Sequence, residues 1–250
     1  MLRVEAAGHV VQQGDARLTS TYRGVLGDDR AQLLHADPPY CLLVRRNAHG
    51  RKRDAKRAKI NHTAVRRFDN LAEYRQFTER WLRPALAQVS DSGHAIVWTN
   101  LLGRDPIRAL ALSEGFVEHG TFLWAKLGKV GNVGEQVARL YEVALIFGRL
   151  PAPKLASGDP LPPRHHISGY DFDGETGSWE HHPNHKPFSL LEPLIRGYSR
   201  PGDVVLEPFS GSGSTAAAAV KLGRKARVIE LRAKWARVSG ERVRQTIAEL

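Results

Sequence analysis

Two short segments of this chain carry residue types with a chemical use, and they lie far apart in the sequence. The first is Asp37-Pro38-Pro39-Tyr40, which follows the run Ala31 to Ala36. Two prolines in succession end a strand and stiffen the turn after it. An exocyclic amine on a nucleobase is a poor nucleophile, because its lone pair is delocalised into the ring. A carboxylate such as that of Asp37 and a fixed carbonyl such as that of Pro38 can accept its two hydrogens. The nitrogen is then drawn toward a tetrahedral arrangement and its lone pair is aimed. Pro38 and Pro39 hold the carbonyl at little entropic cost. Tyr40 offers a ring on which a base can stack, worth about 1–3 kcal/mol. If such an amine is to be methylated from a sulfonium donor, alignment of nitrogen, methyl carbon and sulfur would supply much of the rate. Taken alone, the tetrapeptide reads equally well as a rigid surface turn.

The second segment runs from Val204 to Thr215 and reads as a strand, a glycine turn and a helix start. Gly211 and Gly213 can adopt positive φ and let a ligand approach the backbone closely. The helix N-terminus offers free N–H groups to an anion or carboxylate, and Ser214 or Thr215 can cap it. A phosphate-binding P-loop requires lysine just before the Ser/Thr, where Gly213 stands. A dinucleotide fingerprint remains open. Ala216 is tolerated in place of its third glycine, and Glu230, at the end of the next strand, is an acid of the type that binds ribose hydroxyls. By itself the segment points no further than to an adenosine-containing cofactor, and a glycine turn with no ligand is the other reading.

Positioning both segments requires a sheet. Strands are expected over Gly8–Gln13, Ala31–Ala36, His94–Thr99, Phe116–Lys126, Tyr141–Phe147, Val204–Glu207 and Ala226–Glu230. Helices are expected over Leu71–Val89, with a bend at Pro84, and over Pro106–Glu114, Ser189–Gly197, Thr215–Leu222 and from Ala233 onward. The Leu71 helix is read from Leu71, Tyr74, Phe77, Trp81 and Leu82 at helical spacing. Such alternation predicts an α/β sheet with helices on both faces. Ligands on such sheets lie at the carboxyl ends of the strands, where both segments fall. Residues 148–180, rich in Pro and Gly, read as a long irregular excursion of the kind that is often functional.

The 250 residues, 42% of them hydrophobic, suit a single domain. A formal net charge of +11 points to a polyanionic partner. The segment Arg45 to Lys59 concentrates it, with eight Lys/Arg against one Asp. A lone cysteine, Cys41, rules out an intramolecular disulfide. With no signal-peptide layout at the N-terminus, this suggests a cytoplasmic setting. No stretch approaches the roughly 18 apolar residues of a membrane helix. His165, His166, His181 and His182 lack a supporting carboxylate or cysteine arrangement, so no metal is expected.

Together the two segments closely resemble the amino-methyltransferase family of DNA methyltransferases, which act on adenine N6 or cytosine N4. The order, with the catalytic segment first and the glycine turn near the C-terminus, resembles the permuted beta group. Several other segments are similar to family landmarks. These are Gly14-Asp15, Trp124-Ala125-Lys126, Tyr141-Glu142, His182 to Pro187, Leu190 to Ile195, Pro201 to Asp203, Leu222 to Arg224 and Ile229-Glu230. Glu207 departs from the family's usual Asp. The resemblance implies a class I S-adenosylmethionine-dependent methyltransferase fold in circularly permuted order. That fold is a mostly parallel seven-stranded sheet with one reversed strand and helices on both faces. It implies one methyltransferase domain over residues 1–250, with a basic DNA-contact loop over 41–70 and a short target-recognition insertion over 148–180.

Residue by residue, the resemblance places the methionine end of the cofactor on Lys186 and on Ser210, Gly211, Gly213, Ser214 and Thr215, with Glu207, Pro208 and Phe209 beside them. It places the ribose on Glu230 and the adenine amine on Asp15. Asp37 serves both the target amine and the cofactor's α-amino group. A base within a duplex must be flipped out to reach Asp37, Pro38, Pro39 and Tyr40. Arg45, Arg46, Arg51, Lys52, Arg53, Lys56, Arg57 and Lys59 would grip the flanking phosphates, which position the duplex without reading sequence. Arg164 and Tyr170 would contact DNA from the recognition segment, whose small size suits a homodimer or a short site. A cognate restriction endonuclease is a further expected partner. Asp at position 37 leans toward adenine, where serine is more usual for cytosine. RNA or a glutamine amide is a lesser alternative, as is a non-catalytic DNA-binding subunit that keeps the fold. Cytosine C5 chemistry needs a nucleophilic cysteine in a setting that Cys41 lacks.

Overall fold

A computed structural model of the chain describes residues 2–44, 66–127, 141–149, 165–169 and 185–250. Nine strands are described: β1 (Arg3–Ala6), β2 (His9–Gln13), β3 (Ala31–Ala36), β4 (Val89–Thr99), β5 (Phe116–Leu127), β6 (Tyr141–Arg149), β7 (His165–Gly169), β8 (Val204–Glu207) and β9 (Lys225–Glu230). Six α-helices join them: α1 (Thr19–Leu26), α2 (Leu71–Leu86), α3 (Arg104–Ser113), α4 (Phe188–Tyr198), α5 (Ser214–Lys221) and α6 (Ala233–Ala248). The strands form one sheet in the order β1-β2-β9-β8-β3-β4-β6-β5-β7.

The seven strands from β2 to β5 in that order are the expected sheet. Five are mutually parallel, β6 is antiparallel to both its neighbours, and β5 again runs with the majority. Each edge carries one further strand. β1 adds to β2 as a hairpin, and β7 lies parallel to β5 inside the region read as irregular. β1, α1 and β7 are absent from the sequence reading. The hairpin turn puts Ala7 at φ 46° and Gly8 at φ 80°, the two positive dihedrals of a type I′ turn. α1 escapes a periodicity search because it is eight residues long and contains Gly24.

The strands read as apolar runs because both sheet faces are covered. Successive side chains go to opposite faces. Leu34, Val97, Leu145 and Leu206 join Tyr22, Tyr74, Trp81 and Ile107 of α1, α2 and α3 in one core. Leu33, Ile96, Trp98, Ile146 and Val205 join Leu190, Leu194, Ala218 and Val243 of α4, α5 and α6 in the other. Helix α2 starts cleanly, with the Asn70 side chain accepting from the Glu73 amide and the Glu73 carboxylate accepting from the Asp69 amide. It ends two residues past Pro84, which has no N–H to offer the Arg80 carbonyl and crowds it, so the helix does not run on to the expected Val89. No helix among the described residues is long and apolar enough to cross a membrane.

Strands β3 and β8 are parallel neighbours, paired Leu33 to Val205 and Leu34 to Leu206. The chain leaves β3 toward β4 on one side and leaves β8 toward β9 on the other. The connections therefore part above the carboxyl ends of β3 and β8 and open a crevice there.

Candidate active site

Asp37 follows directly on β3, and the Glu207–Gly213 turn follows on β8, so the switch point brings the two segments together. The crevice is narrow and lined by Asp37, Lys186, Glu207, Phe209, Ser210 and Thr215, among others. A larger cleft of about 480 Å³ lies at the opposite sheet edge, beside the β1–β2 turn. Its cations Arg3 and Arg227 are already paired with Glu5 and Asp29, and none of the expected site residues among the described ones lines it.

The Asp37–Tyr40 turn is held from below. Asn100, just past β4, donates from Nδ2 to the Cys41 carbonyl at 2.9 Å, and the Leu42 amide donates to the Tyr40 carbonyl at 2.8 Å. Pro38 is buried and Asp37 half-buried. Lys186 arrives from the segment before α4 and is 5% exposed at its side chain. Its Nζ donates to Asp37 Oδ2 at 2.8 Å and to Glu142 Oε2 at 3.1 Å. It also lies 4.6 Å from the centroid of the Trp98 ring and 5.6 Å from that of Trp124. Burial opposes the ammonium's charge, but Asp37 and Glu142 outweigh it and raise the Lys186 pKa. Lys186 is therefore a fixed cation and no base. The Tyr40 hydroxyl donates to Glu142 Oε2 at 2.7 Å. Burial, then the negative charge of Asp37 and Glu142, pushes this phenol well above its usual range, so it remains a neutral donor.

The glycine turn is braced from within. Gly211 and Gly213 take φ of 52° and 80°. A Cβ on Gly213 would stand 2.8 Å from Ser239 Oγ and 3.0 Å from Ser239 Cα. Gly213 is itself the N-cap of α5, and no side chain caps the helix. The expected caps are otherwise engaged. Ser214 Oγ bonds Ser212 Oγ and His185 Nδ1 at 3.1 Å and accepts from Arg242 at 3.2 Å. Thr215 Oγ1 bonds His35 Nδ1 at 3.1 Å, and Ser210 Oγ bonds Ser239 Oγ at 2.6 Å. Trp98 Nε1–H can only donate, so His35 Nε2 accepts from it at 3.0 Å. The neutral ring then carries its proton on Nδ1, facing Thr215. The Ser210, Gly211 and Gly213 amides are bonded to Ile229, Glu230 and Ser210, so what the turn offers a ligand is the backbone N–H groups of the first turn of α5.

Two acids flank this turn. Glu207 is 3% exposed, and its Oε1 has no hydrogen-bond partner among the described residues. Glu230 accepts from the Gly211 amide at 2.9 Å and the Arg232 amide at 2.8 Å. Burial raises its pKa, and the two amides only partly offset this. Asp15 stands at the same edge, because the Gly14 amide bonds the Glu230 carbonyl at 2.9 Å. Its carboxylate grips Arg17 at 2.6 Å, a bond that lowers its pKa. Phe209 packs edge-on against Trp81, with ring centroids 4.9 Å apart.

Thus Asp37, Tyr40, Lys186, Glu207 and the Ser210–Thr215 turn converge, and Asp15 and Glu230 stand beside them. Arg45, Arg46, Arg51, Lys52, Arg53, Lys56, Arg57, Lys59, Arg164 and Tyr170 lie outside the described residues. Glu142 enters the site without having been singled out as a functional residue in the sequence. A lone glutamate at the start of an apolar strand has no local signature, and only the resemblance of Tyr141-Glu142 hinted at it. Among the described residues, no group of three or more His, Cys, Asp or Glu is placed to hold a metal ion.

Parallel neighbours that part in opposite directions, one leading into a glycine turn and the other into an Asp-Pro-Pro turn, are the framework of a class I methyltransferase. The chain belongs to the N6/N4 family of that class, described as DNA methylase, whose pattern matches residues 31–241. These are S-adenosylmethionine-dependent DNA amino-methyltransferases. The Escherichia coli (strain K12) protein YubD is 32% identical over 175 residues, 66% of this chain and 70% of that protein. The DNA adenine methyltransferase YhdJ of the same organism is 42% identical over 65 residues, 26% of this chain and 22% of its own length. Among solved structures, the M1.HpyAVI–SAM complex has a TM-score of 0.63 at 19% identity, covering 93% of this chain and 97% of that one. The cytosine-N4-specific PvuII DNA methyltransferase has a TM-score of 0.66 at 17% identity, covering 98% and 93%.

Proposed function

We propose that this chain transfers a methyl group from S-adenosylmethionine to the N6 amine of an adenine flipped out of duplex DNA. The observation that carries this reading is the Asp37-Pro38 turn set beside the glycine turn at one switch point. The residues present suit the cofactor. The unpartnered Glu207 oxygen can accept from an ammonium, the uncapped start of α5 can bind a carboxylate, and Glu230 can accept from ribose hydroxyls. When bound, the cofactor supplies an electrophilic methyl group on sulfur.

The chain's own residues do the rest. Asp37 and the Pro38 carbonyl accept the two amine hydrogens and aim the nitrogen lone pair. Tyr40 stacks on the base. Lys186 holds one Asp37 oxygen, which leaves the carboxylate oriented. Its contacts with Asp37 and Glu142 support a task on the target side of the site, in addition to the methionine end of the cofactor that the resemblance implies. The adenine reading rests on Asp at position 37 and on the local likeness to YhdJ; the cytosine-N4 reading rests on the fold likeness to PvuII. We assign the whole chain to one methyltransferase domain. The basic segment within residues 41–70 serves as its phosphate grip and residues 148–180 as its recognition segment. A second copy and a cognate restriction endonuclease are the partners this layout suits.

The test is incubation with labelled S-adenosylmethionine and mixed-sequence duplex DNA, followed by mass analysis of the nucleosides. N6-methyladenine is expected. N4-methylcytosine would keep the mechanism and overturn the base, and methylation confined to RNA would overturn the substrate. The Asp37→Ala variant should bind cofactor and lose about 10²–10³-fold in kcat. A variant with undiminished turnover would remove Asp37 from the mechanism.

A further inference from the structure

Among the described residues around Asp37, Glu142 is a charged group that this chemistry leaves without a task. It stands second in β6, opposite Trp124 of β5. β6 runs against the parallel strands, so its first residues reach the edge where the others bring their last. Its Oε2 accepts from Tyr40 at 2.7 Å and from Lys186 at 3.1 Å, and the same ammonium holds Asp37 at 2.8 Å. One carboxylate oxygen therefore ties the ring that would stack on the base to the acid that would bind its amine.

Fold stability does not account for this arrangement. A largely buried ion pair seldom outperforms apolar residues of similar volume, and the Trp98 and Trp124 rings beside Lys186 would accept such residues. What Glu142 supplies is geometry. The Tyr40 ring turns on two torsions, and a hydrogen bond at its far end restrains both. Lys186 has a long flexible stem, and an ammonium bonded to Asp37 alone could follow either carboxylate oxygen. A second fixed acceptor confines it to one.

We propose that Glu142 is a positioning residue for methyl transfer, setting the Tyr40 ring and the Lys186–Asp37 pair together. The proposal rests on the reading of the chain as a DNA amino-methyltransferase. Its test is a double-mutant cycle of Glu142→Gln and Tyr40→Phe on kcat, with cofactor KM and melting temperature measured for each variant. Glu142→Gln should lower kcat by about 10²-fold, the effect of a small misplacement of reacting groups, while cofactor KM stays within about threefold. If Glu142 acts through Tyr40, the double variant falls no lower than Glu142→Gln alone. Losses that multiply, an unchanged kcat, or a loss confined to KM would each overturn the role.

A second measurement reads the ring directly. With the methylated position mapped, 2-aminopurine placed there should emit more strongly in complex with Glu142→Gln than with the wild type, because a displaced Tyr40 quenches it less. Equal emission overturns the proposal. A wild-type protein that methylates no nucleic acid sinks the reading of the chain itself. An active wild type with multiplying losses sinks only the role of Glu142.

Discussion

At the residue scale, Glu230 shows how burial and a ligand act on one carboxylate in opposite directions. Burial holds its pKa above the ordinary value of 4.5. The folded chain thus binds that proton more tightly than the unfolded chain does. Protonation of Glu230 favours the fold, and this contribution is lost as pH rises through its folded pKa. A ribose whose hydroxyls donate needs the ionised form. Cofactor affinity should therefore weaken as pH falls toward the carboxylate range, starting above the pH at which an exposed glutamate titrates. Calorimetry at a series of pH values should show this slope in the wild type. Glu230→Gln should weaken binding by about tenfold at neutral pH, the loss of a charge-assisted hydrogen bond, and should flatten the slope. A slope that survives the substitution would assign it to another group. Asp37, Tyr40, Gly211, Gly213 and Glu230 were legible in the sequence because each belongs to a short segment with its own chemical logic. Glu142 was not, since its role comes from partners more than 40 residues away in the chain.

At the element scale, the α5 start depends on backbone shape more than on side-chain caps. The reading of Ser214 or Thr215 as the cap failed for a definite reason. Gly213 takes the N-cap place in a left-handed conformation, and both hydroxyls are claimed by His35, His185, Ser212 and Arg242. Gly213→Ala combines positive φ with contact on the Ser239 backbone. It should cost about 1–3 kcal/mol in denaturant unfolding and abolish cofactor binding. Gly8→Ala is the matched control. Its φ is also +80°, but nothing lies within 4 Å, so it should cost only about 1–2 kcal/mol and leave binding intact. Equal binding by the two variants would remove the turn from the cofactor site. The long helices were found because many residues share their periodicity, but α2 stops at Leu86, short of the expected Val89, and β4 begins at Val89 where the strand was expected only from His94. β1, α1 and β7 have four, eight and five residues, and unlike β8 and α5, which are no longer, none adjoins a motif that marks it. Each exists because a longer strand or a core face nearby completes it.

At the scale of the whole molecule, a net charge of +11 and the eight basic residues between Arg45 and Lys59 should act through counterion release. Replacing Lys52, Arg53, Lys56 and Arg57 with Gln should weaken binding equally on all DNA sequences. The slope of log affinity against log salt should shrink by about 0.9 for each phosphate that is no longer neutralised. Fluorescence anisotropy over a range of salt concentrations measures both. An unchanged slope would leave the segment without a phosphate-binding task, and a loss limited to one sequence would make it a reader of bases.

The sequence by itself determined the two chemical turns, the alternation that makes a covered α/β sheet, and the charge that calls for a polyanion. These are local or summed properties, and neighbouring residues suffice to express them. The tertiary structure decided what no neighbour relation could. The parting of β3 and β8 set Asp37 beside the glycine turn. The reversal of β6 carried Glu142 to the same edge, and burial turned Lys186 toward two acids. Strand order and direction are fixed by packing across the whole sheet. So the partners of a side chain in this crevice are chosen by residues far from it in sequence.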